Sequence, residues 1–278
     1  MHMKSHEYRR LKEIVDMNDL GSISIVIPVL NEEENIEQLL SEFDKLVSDF
    51  GLKEFNEVVF VDDGSKDQTT GIINDHKSSD HPYKIELVER NCMLGTVSAS
   101  IEGARKATNK YVVIMDGDLQ HPPQVIGELA KSHKRDNAIT MASRHISSGG
   151  NKWSPLRGVI SRTAIFIAHL LIPPTRKVKD PISGFFMLNR DYLLSLEPLH
   201  RRSKILLYIL ATNPELKIQE IPFVLVDRKK GNSKIINRNP SFIFHYIIEV
   251  VSYMKFFQRT RSVKRSNKSS DYTYAAQK

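Results

Sequence analysis

Tyr111-Val112-Val113-Ile114-Met115-Asp116-Gly117-Asp118-Leu119-Gln120 joins an unbroken apolar, β-rich run to two carboxylates two residues apart. Such a run marks a strand covered on both faces, as strands of a parallel sheet are. Working outward, Ile23 to Ile27, ended by Pro28, predicts a first strand, Val58 to Val61 a second, Lys84 to Val88 a third and Ala138 to Ala142 a fifth. Helical periodicity fills the gaps. Asn31 is placed to cap a helix whose positive end receives Glu32, Glu33 and Glu34 and whose apolar face runs through Ile36, Leu39, Leu40, Phe43, Leu46, Val47 and Phe50. Thr96 to Ala107 and Pro123 to His133 predict two more helices. Strands alternating with helices imply right-handed crossovers and a mostly parallel α/β sheet flanked by helices, which takes ligands outside the carboxyl ends of its strands.

At 278 residues with 40% apolar and 26% charged side chains, the chain is long enough for a large folded core and too well mixed to be disordered or fibrous. Its single cysteine, Cys92, excludes an internal disulfide and a cysteine-cluster zinc site, and fits a reducing compartment. The net charge of +7 hides an asymmetry: 16 Lys+Arg stand against 25 Asp+Glu up to Thr140, and 24 against 8 beyond it. An acidic half suits metal-assisted chemistry, and a basic half suits a phosphate-rich partner. The chain has neither zinc-finger spacing nor an RNA-binding aromatic signature, which argues against a nucleic-acid module. The first twenty residues carry charges throughout, so no secretory signal is expected there.

The second half is less regular. It holds loops at Ser147 to Pro155 and Pro173 to Ser183, a compact run Gly184 to Leu188, a helix near Lys204 to Ala211, a strand Glu220 to Val226 and a basic loop Asp227 to Asn239. Two apolar stretches, Val159 to Ile172 and Phe242 to Phe257, are broken by charged or polar residues and are shorter than the roughly 20 residues a spanning helix needs. Helices of that kind beside Arg and Lys can lie in a bilayer interface; core packing or a dimer contact is the alternative.

The chemistry concentrates at predicted strand ends. Asp116 and Asp118 can each point one oxygen toward a common divalent ion whose shell a ligand's phosphates complete. His121 is a weaker candidate, because oxygen-rich neighbours favour a hard cation. Asp62-Asp63-Gly64-Ser65 ends a neighbouring strand and can serve a nucleoside or simply form a turn. Pro28 and Glu32 join from the first strand.

Five blocks in order, Pro28-Val29-Leu30-Asn31-Glu32, Val61 to Ser65, Asp116 to Pro123, Asp180 to Phe186 and Arg228 to Lys234, resemble the inverting glycosyltransferases of family 2, and within them the dolichol-phosphate (polyprenol-phosphate) mannose synthases. Leu30 and Gly117 depart from the Tyr and Ala usual in that pattern. The resemblance implies a GT-A fold that moves mannose from GDP-mannose to dolichyl (polyprenyl) phosphate with Mg²⁺ or Mn²⁺. It implies that Pro28, Leu30, Glu32, Val61 and Asp63 hold the nucleoside. Asp116, Asp118 and Gln120 would bind metal and diphosphate, with Gly117 giving a backbone contact. Arg144, Arg157 and Ser161 would receive the lipid phosphate, and Arg228 and Lys234 would close over both phosphorylated groups.

The domain layout that follows is an N-terminal extension 1–21, a catalytic domain 22–240 with an interface helix 156–172 and an acceptor loop 227–239, an amphipathic helix 241–258 and a basic tail 259–278. The expected setting is the cytoplasmic face of a membrane, plasma membrane or endoplasmic reticulum, with a small anchoring subunit or a second copy as candidate partners. UDP-glucose with the same lipid is the rival donor, and a non-catalytic membrane scaffold the rival from another class.

Overall fold

The computed structural model describes residues 22–48, 55–133, 138–151, 155–197, 199, 202–226 and 244–259. The extension 1–21, the loop 227–239 with Arg228 and Lys234, Trp153 and the tail beyond 259 lie outside the described residues, as does the side chain of Arg157.

Seven strands form one sheet: β1 (Ile23–Val29), β2 (Phe55–Asp62), β3 (Lys84–Glu89), β4 (Tyr111–Ile114), β5 (Ile139–Ser143), β7 (Phe186–Asn189) and β8 (Ile218–Pro222), in the order β3-β2-β1-β4-β7-β5-β8. The pairings are parallel except those of β7, which runs antiparallel between β4 and β5. A two-stranded patch, β6 (Gly150–Asn151) with β9 (Val224–Leu225), stands beside it. Pro28 lies inside β1 rather than ending it, paired in register with Val61. It is tolerated because β4 has already stopped pairing at Val26, which leaves that side of β1 as an edge without need of another donor.

The helices are α1 (Glu33–Ser48), α2 (Thr69–Lys77), α3 (Thr96–Lys106), α4 (Val125–Ser132), α5 (Pro155–Leu171), α6 (Arg190–Leu194), α7 (Ile205–Thr212) and α8 (residues 244–259). Two apolar layers result. Ile36, Leu39 and Phe43 of α1 pack with Ile25, Ile27 and Phe60 on one face of the sheet. On the other, Val97 and Ile101 of α3 and Ile205 to Ala211 of α7 belong to one cluster with Val26, Val59 and Val112. Alternate residues of one strand serve opposite layers, as the two-residue period of a strand requires. At Gly103 of α3 an added methyl would come within 2.3 Å of Val26 Cγ1 and 2.9 Å of Val61 Cγ2, so a glycine is what lets the helix lie this close to the sheet.

Asn31 does not cap α1. It adopts φ 50°, its Oδ1 accepts the Lys66 N–H at 2.7 Å, and its own N–H donates to Ser65 Oγ at 2.8 Å. The first donors of α1 are satisfied across the turn after β2 instead: Glu32 N–H by Thr69 Oγ1 and Glu33 N–H by Asp67. In return Glu33 accepts the Gln68 N–H. The β1 and β2 exits are thus locked to each other through hydrogen bonds that span 34 to 37 residues.

The second apolar stretch, α8, is anchored by a carboxylate. Glu249 is buried and accepts the N–H groups of Ser203 and Lys204, both at 2.7 Å, the Ser203 hydroxyl and the Tyr253 hydroxyl. It therefore supplies acceptors at the N-terminal end of α7, where backbone donors have no partner within the helix. Among the described residues no helix is long and apolar enough to cross a membrane.

Candidate active site

The parallel strands deliver their carboxyl ends to one side of the sheet. Leu30 to Glu32 leave β1, Asp62 to Ser65 extend from the end of β2, Asp116 to Gln120 follow β4, and Arg144 and His145 leave β5. Because β7 runs antiparallel to β4, with Phe186 opposite Ile114, Gly184 and Phe185 enter from the same side.

The Asp116 turn is built to a particular shape. Leu119 holds φ 61°, a left-handed conformation that costs a non-glycine residue roughly 1–2 kcal/mol, and its side chain is buried. Asp118 is buried and accepts the Gln120 N–H at 3.1 Å, closing the turn. Asp116 instead has a side chain 52% exposed, lying over Gly184: a methyl group there would sit 3.5 and 3.6 Å from its two oxygens. Gly117 is close-packed, since a methyl on it would come 3.0 Å from Val29 Cγ1 and 3.3 Å from Ile27 Cγ2.

His121 supports the turn from beneath. Its Nδ1 accepts the Asp116 N–H at 3.0 Å, and its ring stacks on Phe185 at 5.0 Å between centroids. With the Nδ1 lone pair directed at that N–H, the ring proton belongs on Nε2. Gln120 is moored elsewhere: its Nε2 donates to the Val226 carbonyl, and the Val226 N–H returns to the Gln120 carbonyl, both at 3.2 Å. The aspartate turn is thereby tied to the residue that leads into 227–239.

Among the described residues no three His, Cys, Asp or Glu side chains converge on a metal position. The Asp116–Asp118 set is an oxygen-only pair at one strand end. That chemistry fits a hard divalent cation held by one or two carboxylates with the rest of its shell left to phosphates and water.

At the end of β2, Asp63 is engaged by the protein itself. It is buried, accepts the N–H groups of Leu94 and Gly95, each at 2.8 Å, and pairs with Arg90 at 3.2 Å. Arg90, also buried, bonds Ser98 Oγ and lies 3.3 Å from Glu102. Asp62 closes its own turn on the Gly64 and Ser65 N–H groups and the Ser65 hydroxyl. Val61 is fully buried against α3, so only its main chain can face a ligand. Glu32 is buried and accepts from Asn35 Nδ2 at 2.7 Å, while Pro28 and Leu30 are half-buried.

On the basic side, Arg144 is paired rather than solitary. Its Nε donates to Asp180 Oδ2 at 2.7 Å and its Nη2 to Oδ1 at 2.6 Å, while its N–H donates to Oδ2 at 3.1 Å. Ser161, on α5, has a buried hydroxyl with no hydrogen-bond partner. Sequence reasoning left Asp180, Arg90 and His145 without roles. The available signal for the first was a carboxylate opening a Pro/Ser/Gly loop that leads back to the site.

Comparison with known proteins follows the same lines. Residues 24–196 match the family described as Glycosyl transferase family 2. The dolichol-phosphate mannosyltransferase of Pyrococcus furiosus is 34% identical over 84% of this chain, which spans 64% of that protein's length. The protein of the same name from Saccharomyces cerevisiae is 34% identical over 76% of this chain and 80% of its own. Among solved structures, glucosyl-3-phosphoglycerate synthase from Mycobacterium tuberculosis in complex with phosphoglyceric acid superposes with a TM-score of 0.62 at 20% identity, covering 91% of this chain and 85% of that one, a likeness of fold. The same enzyme in complex with Mn²⁺, uridine-diphosphate and glucosyl-3-phosphoglycerate gives 0.61. A parallel sheet with one inserted antiparallel strand, an aspartate pair at a strand end and relatives of this kind lead to one assignment: the chain belongs to glycosyl transferase family 2, with its GT-A fold.

Proposed function

We propose that the protein transfers mannose from GDP-mannose to dolichyl (polyprenyl) phosphate, with inversion at the anomeric carbon. The observation that carries the reading is that the half-exposed Asp116 carboxylate and the Arg144–Asp180 pair both stand at the carboxyl ends of strands of one sheet. A transfer between two phosphorylated partners needs both kinds of group.

The nucleophile needs no general base. A phosphate monoester has a second pKa near 6, so at neutral pH it is largely a dianion. One of its oxygens forms the bond to the anomeric carbon, and the bond from that carbon to the nucleoside diphosphate breaks, its electron pair leaving on the diphosphate oxygen. What the protein must manage is charge. Asp116 and Asp118 would hold a Mg²⁺ or Mn²⁺ ion, which when bound neutralises the charge growing on the leaving group. Arg144, aimed by Asp180, would orient the attacking phosphate, with Ser161 and Arg157 on α5. Gln120 would hold the turn, with Gly117 giving a backbone contact, and Arg228 and Lys234 would cover the phosphates from 227–239. Pro28, Leu30 and Glu32 would line the nucleoside pocket, with the main chain of Val61. Asp63 would shape it through the loop it holds.

The acceptor's lipid gives α5 and α8 a purpose. Their exposed Phe, Leu, Ile and Val side chains would rest in the interface of a membrane, beside the basic half of the chain. The test is product formation from GDP-mannose and UDP-glucose side by side, with and without chelator. Chelator-sensitive mannosyl transfer is expected; turnover of UDP-glucose alone would overturn the choice of sugar.

A further inference from the structure

His145 directly follows Arg144 at the end of β5, and its Nε2 is buried with no hydrogen-bond partner. Ser161 Oγ is in the same condition, and Ser161 itself is more than nine-tenths buried. Buried polar atoms are nearly always satisfied, so the orphaned His145 Nε2, one residue from the Arg144–Asp180 pair, calls for a cause, and Ser161 on α5 presents a second orphan. The charged groups that act on the His145 ring are Arg144 and Asp180 of the ion pair, Arg162 on α5 and Glu220 on β8. Burial, the largest influence, holds its pKa below the usual histidine value; Arg144 and Arg162 push the same way, and Asp180 and Glu220 oppose them.

Among the described residues no acceptor meets His145 Nε2 and no partner meets Ser161 Oγ, whereas an anion with several oxygens accepts from donors of this kind. A phosphate monoester has three such oxygens. We propose that His145 is a binding residue for the acceptor, donating a hydrogen bond from Nε2 to a non-bridging oxygen of the phosphate monoester that Ser161 also contacts. This rests on the reading of the acceptor as a phosphate monoester, and it adds to that reading a neutral donor alongside the arginines. Such a donor tightens binding without adding positive charge that would hold the nucleophile back.

The test uses the full chain as wild type, His145→Leu and His145→Gln, titrated calorimetrically with a short-chain prenyl phosphate, with inorganic phosphate, and with GDP plus Mn²⁺. Loss of a hydrogen bond to a charged group should weaken prenyl phosphate roughly tenfold in His145→Leu. His145→Gln, whose amide N–H stands close to where Nε2–H does, should stay within roughly threefold. GDP should bind all three alike, which also reports that they fold. In transfer assays the acceptor KM should follow the binding, with kcat and the donor KM unchanged.

Parallel weakening of inorganic phosphate supports a site that reads phosphate itself; weakening of the prenyl ester alone supports one that reads the lipid head. Unchanged affinity in His145→Leu, or equal weakening in His145→Gln, overturns the inference. So does a wild-type protein that binds neither phosphate. A wild type that binds prenyl phosphate through His145 and transfers no mannose would instead overturn the activity reading alone.

Discussion

Arg144 and Asp180 stand 36 residues apart in sequence and meet in a two-pronged ion pair, with Asp180 wholly buried. The carboxylate fixes the plane of the guanidinium before any ligand arrives, so less side-chain freedom remains to be lost on binding. The pair is also neutral as a unit: a phosphate bound as proposed would meet oriented donors rather than an isolated positive charge.

Removing one partner alone should therefore be the damaging change. Asp180→Ala leaves a guanidinium buried without its counter-charge and should lower unfolding stability by about 3–5 kcal/mol in urea titrations. The double change Arg144→Met with Asp180→Leu should recover most of that stability while leaving transfer activity absent. A double variant as unstable as Asp180→Ala would show that the site depends on the ion pair for packing as well as charge.

The two aspartates of the turn should separate by stability while agreeing in activity. Asp116 is half-exposed, so Asp116→Ala should stay within about 0.5 kcal/mol of wild type. Asp118 is buried and closes the turn on Gln120, so Asp118→Ala should lose roughly 1 kcal/mol more. Both should reduce transfer by roughly a hundredfold or more and abolish the metal-dependent part of the thermal shift with GDP. Wild-type activity in Asp118→Ala would remove the metal role from this pair.

What could be read from sequence was local. The position of Asp116 and Asp118 at a strand's carboxyl end was legible because a strand's covalent continuation decides which side of a sheet its end reaches. Asn31 misled for a related reason. Its residue type suits a helix cap, yet an equally local rule, the tolerance of asparagine for positive φ, let it turn toward Ser65 and Lys66 in another loop. Asp180 and Glu249 were illegible, because a buried carboxylate is defined by donors that only folding brings near. Strand β7 is short, and its insertion between β4 and β5 depends on long-range pairing that no periodicity within four residues can reveal.

Gly184 should act as a gauge of the metal position. An added methyl would be in ordinary contact with the Asp116 oxygens and with His121 Cε1 at 3.5 Å, so Gly184→Ala should fold and keep most activity. Gly184→Val pushes two further methyls toward the space a cation and diphosphate would need. Its expected signature is a raised Mn²⁺ requirement in the transfer assay, with a melting temperature near that of the alanine variant. Equal metal requirements in the two variants would place the cation elsewhere.

Acid stability should depend on Glu86. Lys84, at 2.6 Å, is the main cause that holds its pKa down at about 2; burial opposes, and Lys106 and Lys77 add to the lowering. A folded pKa below the unfolded one gives stability that is complete above roughly pH 4.5 and is lost as pH falls toward 2. The lysines are largely solvent-facing, so screening reduces the contribution to about 1 kcal/mol. Glu86→Gln should be less stable than wild type at pH 7 by that amount, and the two should converge as the pH approaches 2 in parallel urea titrations.

Large apolar side chains are exposed mainly on two helices. Nine large ones are exposed among the described residues, and seven lie on two helices: Val159, Ile160, Phe166 and Leu170 on α5, and Phe244, Ile247 and Ile248 on α8. The helices are joined by a hydrogen bond from the Tyr246 hydroxyl to the Ala164 carbonyl at 2.7 Å, so the two sets belong to one packed unit. Phe166 is 66% and Phe244 63% exposed, and burying a phenylalanine contributes about 1.5–3 kcal/mol. Phe166→Glu with Phe244→Glu should therefore weaken sedimentation with anionic vesicles by at least roughly tenfold while leaving the melting temperature unchanged, because neither ring supports the core. Transfer to a short, water-soluble prenyl phosphate should be preserved and transfer to a bilayer-embedded one should fall. If both acceptors suffer equally, these rings act within the catalytic site; if neither does and vesicle binding persists, the membrane meets the protein through another surface.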